Sequence, residues 1–186
     1  MSQAFADAGC DTVSFDLLPS PGKLPHIQGD FFSQNVVVPD LIFAFPPCTY
    51  LAKAGLHFNL HSYSRRVSTV KAFEFVLRLY FHACPRIIIE NPIGWLNTHW
   101  RKPSQILSPL NFGDAYHKEI CLWSKGLPPI VPPFPSISTV NAKRLSNHVN
   151  GRMSQVEKSK IKSSWSRFPK MSTGLAQFYT SVILNS

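Results

Sequence analysis

The stretch DLIFAF (residues 40–45) is a continuous apolar run of strand length, stopped by Pro46-Pro47 and followed at once by Cys48. A run without apolar/polar alternation predicts a strand covered on both faces, as in a parallel sheet flanked by helices. Downstream, residues 67–83 carry apolar side chains at Val70, Phe73, Leu77 and Tyr80-Phe81, at spacings of three and four, which predicts an amphipathic helix closed by Pro85. RIIIE (residues 86–90) then predicts a second buried strand, ended by Asn91-Pro92. Strand, helix, strand at this spacing is a βαβ unit, so the expected fold is α/β with a doubly wound parallel sheet. Ligands in such folds sit at the carboxyl ends of the strands.

Upstream the same alternation is fainter. Residues 2–8 read as a helix stopped by Gly9, residues 12–15 as a short strand ending at Asp16, and a further short strand is expected around Ile27 before Gly29-Asp30. Asp16, Asp30, Pro46-Pro47-Cys48 and Glu90-Asn91-Pro92 therefore all fall at predicted strand ends. Beyond residue 100 the chain is Pro-rich, with a strand expected over 118–123 and PPIVPPFP (residues 128–135) as a stiff connector. A last amphipathic helix is expected over 174–184.

Composition narrows the function. The chain has 186 residues, room for one compact domain, and 44% hydrophobic residues, enough for a core. Its net charge of +9 is unevenly spread: residues 1–50 hold Lys23 against five aspartates (net −4), and the rest hold 18 bases against five acids (net +13). Clustered Lys and Arg bind phosphate backbones by releasing counterions, which points to a polyanion as partner; a solubility surface is the plain alternative. Residues 141–170 concentrate eight bases, among them Arg144, Arg152, Lys158, Lys160, Lys162 and Arg167, with Trp165 and Phe168 interleaved. No apolar run is long enough for a membrane span. Cys10, Cys48, Cys84 and Cys121 form no CxxC pair, so no metal is expected and free thiols suit a reducing compartment, read as cytoplasmic, or nuclear in a eukaryotic host.

Cys48 is held at a strand end by two prolines, where a thiolate could attack an electrophilic carbon. The alternative is an inert structural thiol. Glu90 ends the neighbouring strand behind three isoleucines, so its carboxyl should be partly desolvated and able to donate a proton. A thiol and a protonatable acid on adjacent strands suit covalent attack on a pyrimidine ring, with sulfur at C6 and the acid at N3. Asp16 ends a strand where a ribose hydroxyl is often bound, although it could simply cap a loop; Gly29-Asp30 also makes ordinary turns.

FPPCTYLAKAG (residues 45–55), IIIENPIG (87–94) and the stretch 103–118 resemble the DNA cytosine-5 methyltransferases, most nearly the small cytosine-methylase-like proteins of phages and prophages. The likeness extends through 14–32, 120–132 and 166–183. It implies a Rossmann-like fold that uses S-adenosylmethionine and acts on DNA. Cys48 would be the nucleophile and Glu90 the base-recognising acid, with Asn91 and Lys118 beside them. Asp16, Leu17, Asp30, Phe31, Pro46 and Pro47 would bind the cofactor, and the bases of 141–170 the DNA. That family opens with a strand and a Gly-rich turn, whereas Gly9 is the only glycine before Gly22 here. The resemblance thus implies a core lacking its first strand over 1–123, a small basic target-recognition-like insert over 124–165, and a segment returning to the core over 166–186. Beside methyl transfer stand a catalytically degenerate DNA-binding remnant or partner subunit, and an enzyme modifying pyrimidine C5 on free nucleotides.

Overall fold

The computed structural model describes residues 2–112 and 118–132. They form a mixed α/β protein in two compact units, one of residues 2–37, 109–112 and 132, the other of residues 38–108 and 118–131.

The first unit opens with helix α1 (Ser2–Asp7), which buries Ala4 and Phe5 and ends as expected at Gly9, whose φ of 86° suits a residue without a Cβ. Strand β1 (Ser14–Asp16) pairs in parallel with β2 (His26–Gln28), Ser14 opposite His26 and Asp16 opposite Gln28. The loop between them is closed by side chains. His26 joins Ser14 Oγ at 2.9 Å and the Leu18 carbonyl at 3.0 Å, while Gln28 Nε2 donates to the Leu17 carbonyl at 3.1 Å. A short 3-10 turn (Phe31–Ser33) follows Asp30.

The second unit is built on the βαβ unit that the apolar runs predict. Strand β3 (Leu41–Ala44) leads through helices α2 (Lys53–His61) and α3 (Tyr63–Tyr80) to β4 (Arg86–Pro92), paired in parallel with β3 from Leu41–Arg86 to Ala44–Ile89. Helix α4 (Trp95–His99) and strand β5 (Gln105–Leu107) precede β6 (Ile120–Lys125), and the sheet order is β3-β4-β6-β5. Strand β6 runs antiparallel to both neighbours. Three strands therefore share one direction and the fourth is reversed between them, so the sheet is mixed where a purely parallel one was expected. The reversal comes from pairing across the sheet, to which local apolar pattern is blind.

Central position explains the RIIIE run. Ile87, Ile88 and Ile89 are fully buried, each contributing on the order of 1.5–3 kcal/mol. Helix α3, which buries Val76 and Leu79, packs against β4, and the neighbouring β6 buries Leu122 and Trp123. Helix α3 starts at the Ser62 cap, whose hydroxyl accepts from the Arg65 amide at 3.3 Å. Its buried face is rotated from the expected one: Thr69, Val76 and Leu79 are buried, whereas Val70 and Phe81 are exposed. The Pro-rich connector is anchored at Ile130, which is buried while its backbone N–H and C=O are both bonded by the Gln105 amide, at 2.6 and 2.8 Å.

Candidate active site

Strand β4 outruns its parallel partner. The pairing with β3 ends at Ala44–Ile89, and Glu90, Asn91 and Pro92 pair with β6 alone, opposite Leu122, Cys121 and Ile120. The chain leaving β3 turns at Pro46-Pro47, which cannot extend the strand's hydrogen bonding. Pro46 is buried, Pro47 exposed and Cys48 half-buried. The Cys48 carbonyl then accepts the amides of Leu51 (3.0 Å) and Ala52 (2.8 Å), closing a tight turn around the cysteine.

This turn is stitched to the end of β4. Asn91 Nδ2 donates to the Pro46 carbonyl at 3.0 Å, across 45 residues of sequence. The Trp95 amide donates to the Leu51 carbonyl at 2.7 Å and the Lys53 amide to the Ile93 carbonyl at 3.0 Å, flanking a bridge between Ala52 and Gly94. The backbones approach so closely here that a Cβ at Gly94 would stand against the Leu51 carbonyl oxygen and 2.7 Å from the Lys53 nitrogen. Asn97 Oδ1 accepts the Gly94 amide at 2.9 Å. Leu51 lies wholly buried beneath the turn. The two predicted motifs are thus one backbone-bonded assembly within the second unit.

Successive residues of a strand face opposite ways, so Glu90 and Asn91 have different work. Asn91 is 1% exposed and spends its amide nitrogen on Pro46; its Oδ1 has no hydrogen-bond partner among the described residues. Glu90 is 6% exposed, and its Oε1 is buried without a hydrogen-bond partner among the described residues. Burial pushes the Glu90 carboxyl above the usual carboxylate range, and the positive charge of Lys118 opposes that shift. The result is a carboxyl that keeps its proton to higher pH than an ordinary glutamate. Lys118 is accordingly within electrostatic reach of Glu90. Replacing Asn91 by alanine removes the tether and should cost about 1–3 kcal/mol of stability, read as a lower urea midpoint.

The four thiols separate by environment. Cys84 and Cys121 are buried, and burial raises both, Cys121 to about 11, so each stays protonated; Asn97 Nδ2 bonds the Cys121 sulfur at 3.8 Å. Cys10 and Cys48 are partly accessible, and Cys48 alone of the two sits in the Asn91-tethered turn.

The residues expected to bind cofactor fall in both units. In the first, Asp16 closes β1 and its Oδ1 accepts the Leu18 amide at 2.9 Å, while Leu17 is 69% exposed. Asp30 Oδ1 accepts the Phe32 amide at 3.1 Å. Phe31 packs edge-on between Phe15 and Phe32, with centroids 5.3 and 5.2 Å away. Two carboxylates at and just beyond the ends of adjacent parallel strands, followed in sequence by an exposed leucine and an aromatic ring, offer hydrogen-bond acceptors and apolar surface of the kind a ribose and an adenine need. Pro46 and Pro47 belong to the second unit. Arg144, Arg152, Lys158, Lys160, Lys162 and Arg167 lie outside the described residues, as does the helix expected over 174–184.

Several participants escape the sequence reading. Gly94 stands inside IIIENPIG as an ordinary turn glycine, and nothing local marks it as a crossing point for two backbones. Leu51 stands inside FPPCTYLAKAG with nothing to single it out, and Asn97 lies outside every motif. Trp95 and Trp100, both half-buried, pack on neighbouring rings, Trp95 against Phe73 at 4.8 Å and Trp100 against Trp123 at 6.2 Å. Among the described residues no helix is long and apolar enough to cross a membrane, and no group of three or more His, Cys, Asp or Glu side chains is placed to hold a metal ion. No known family profile, characterised protein or solved structure matches the chain.

Proposed function

We propose that this chain is a DNA cytosine-5 methyltransferase domain of Rossmann-like type, with Cys48 as nucleophile and Glu90 as the acid that engages the base. One observation carries the reading: a buried carboxyl, shifted towards its protonated form and with one oxygen unbonded among the described residues, lies on the overhanging end of the strand to which the Pro-Pro-Cys turn is tethered. A carboxyl so desolvated, with no hydrogen bond to that oxygen among the described residues, is costly unless a ligand completes it. The excess of bases after residue 50 favours a polyanion over a mononucleotide as the substrate.

In the proposed reaction the target cytosine leaves the helical stack, at a cost of roughly a few kcal/mol. Cys48 Sγ, as thiolate, forms a bond to C6, and the C5–C6 π pair moves to C5. Glu90 gives its proton to N3, so the ring carries no net negative charge as the sulfur adds. Lys118, near Glu90, holds positive charge beside the acid once it has ionised. S-adenosylmethionine, when bound, supplies the electrophilic methyl group that C5 takes. Asp16 and Asp30 would hold its ribose and adenine, and Leu17 and Phe31 would pack on the adenine ring. Loss of the C5 proton to base expels Cys48 Sγ and restores the double bond, and the N3 proton returns to Glu90.

The test is transfer of labelled methyl from S-adenosylmethionine to duplex DNA of mixed sequence, with free dCMP in parallel. Label on cytosine C5 of DNA, abolished in Cys48→Ala, supports the reading. Equal labelling by Cys48→Ala, or labelling of dCMP alone, overturns it.

A further inference from the structure

What holds the Cys48 turn from its other side is a single arginine. Arg65, in the first turn of α3, places Nη2 3.4 Å from the Thr49 carbonyl and Nε 3.3 Å from Asn59 Oδ1. Its guanidinium lies over the rings of Tyr50 and Phe58, with carbon-to-centroid distances of 5.1 and 5.5 Å. Thr69, one turn further along α3 and buried, completes the support. Its Oγ1 lies 2.9 Å from the Arg65 carbonyl, accepts from Asn59 Nδ2 at 2.9 Å and reaches the Tyr50 carbonyl at 3.4 Å. Gly55 leaves the passage open, since a Cβ there would stand 2.9 Å from the Thr49 oxygen and 3.3 Å from Arg65 Nη2.

We propose that Arg65 is a positioning residue for Cys48, acting through the Thr49 carbonyl and the Tyr50 ring to fix the turn in which the thiol sits. The inference rests on Cys48 being the nucleophile, but the clamp itself does not depend on any reaction. From β4, Asn91 grips the turn before the cysteine, at Pro46; from α3, Arg65 grips it after the cysteine, at Thr49 and Tyr50. Between these anchors the Cys48 carbonyl closes onto Leu51 and Ala52. The α2 helix that follows has an alanine at its N-cap, with no side-chain cap bond, and none of its described side chains is fully buried, so it offers little rigidity of its own. Arginine suits the task because its planar fork bonds in two directions while stacking on rings, which a lysine ammonium cannot reproduce.

Arg65→Lys keeps the charge and removes the fork. It should slow Cys48 adduct formation with 5-fluorocytosine DNA about 10- to 100-fold at saturating DNA, with the half-saturating DNA concentration unchanged within about two-fold. Independently of any reaction, hydrogen exchange at the Leu51 and Ala52 amides should quicken about ten-fold, with Ile88 and Ile89 unaffected. Asn59→Ala, which removes the partner of Nε, should shift exchange the same way by a smaller factor. Unchanged exchange at Leu51 and Ala52 in Arg65→Lys overturns the proposal. So does a loss confined to DNA affinity, which would make Arg65 a phosphate contact. If the unaltered protein forms no adduct with any DNA, the nucleophile reading fails, and exchange alone still decides whether Arg65 holds the turn.

Discussion

Replacing Glu90 by glutamine should lower the single-turnover rate of methyl transfer about 10²- to 10⁴-fold and, at neutral pH, make the protein more stable. The two effects share one cause. Glutamine fills the same space and can still donate a hydrogen bond to N3, but it has no proton to give up as the thiolate adds. Stability moves the other way because burial holds the native carboxyl above its ordinary value of 4.5. Between that value and the raised native one, the folded protein binds more protons than the unfolded chain. The free energy of unfolding therefore falls as pH rises through this window and stays lower above it. The variant carries no such loss. Its melting temperature should exceed that of the unaltered protein at about pH 8, and the excess should shrink towards about pH 4. A variant less stable at about pH 8 would mean that Glu90 serves as an ionised structural partner, with Lys118 the obvious counterion.

Gly94→Ala should be strongly destabilising for a single added methyl. Its Cβ would meet the Leu51 carbonyl, the Lys53 nitrogen at 2.7 Å and the Ala52 carbonyl carbon at 2.9 Å. All three are backbone atoms that cannot rotate aside. Separating the segments stretches the Trp95–Leu51 and Lys53–Ile93 hydrogen bonds and the Ala52–Gly94 bridge together. Overpacking and two lost bonds amount to about 3 kcal/mol or more, seen as a lower urea midpoint, and the Cys48 turn should loosen with it. Gly22→Ala is the control: its nearest neighbour is the Ser20 hydroxyl at 3.3 Å, a side chain that can turn away, so the change should stay within about 0.5 kcal/mol. A Gly94→Ala midpoint as close to the unaltered protein as that of the control would show that the stitching does not hold the site.

The parts of this architecture legible beforehand are those encoded locally. RIIIE reads as a buried strand because both faces of β4 are covered, whereas LIFAF, expected to be covered on both faces too, forms the outer strand β3, in which Ile42 alone is buried and after which Phe45 stands exposed; Pro46-Pro47 stop that strand. The phase of α3 was legible only in part. Thr69 takes a buried place ahead of Val70 because its hydroxyl is bonded to Arg65, Asn59 and Tyr50, a payment that hydropathy does not see. The reversed β6 and the three-residue β5 are set by cross-strand pairing. At the site, Cys48 and Glu90 were visible from residue type and strand-end placement. The Asn91–Pro46 bond, the Gly94 crossing and the Arg65 clamp join segments distant in sequence, so no local pattern announces them.

The proposed reaction turns on attack of Cys48 on C6 of a cytosine in DNA. Its most direct measurement is to incubate the full chain with S-adenosylmethionine and duplex DNA carrying 5-fluorocytosine at random cytosines, then map any denaturation-resistant complex by peptide mass. The fluorine at C5 cannot leave as a proton does, so the adduct persists once formed. The predicted result is a covalent complex whose DNA-bearing peptide contains Cys48, absent in Cys48→Ala. DNA retention with no covalent complex, or a bond at Cys10, Cys84 or Cys121, would contradict it.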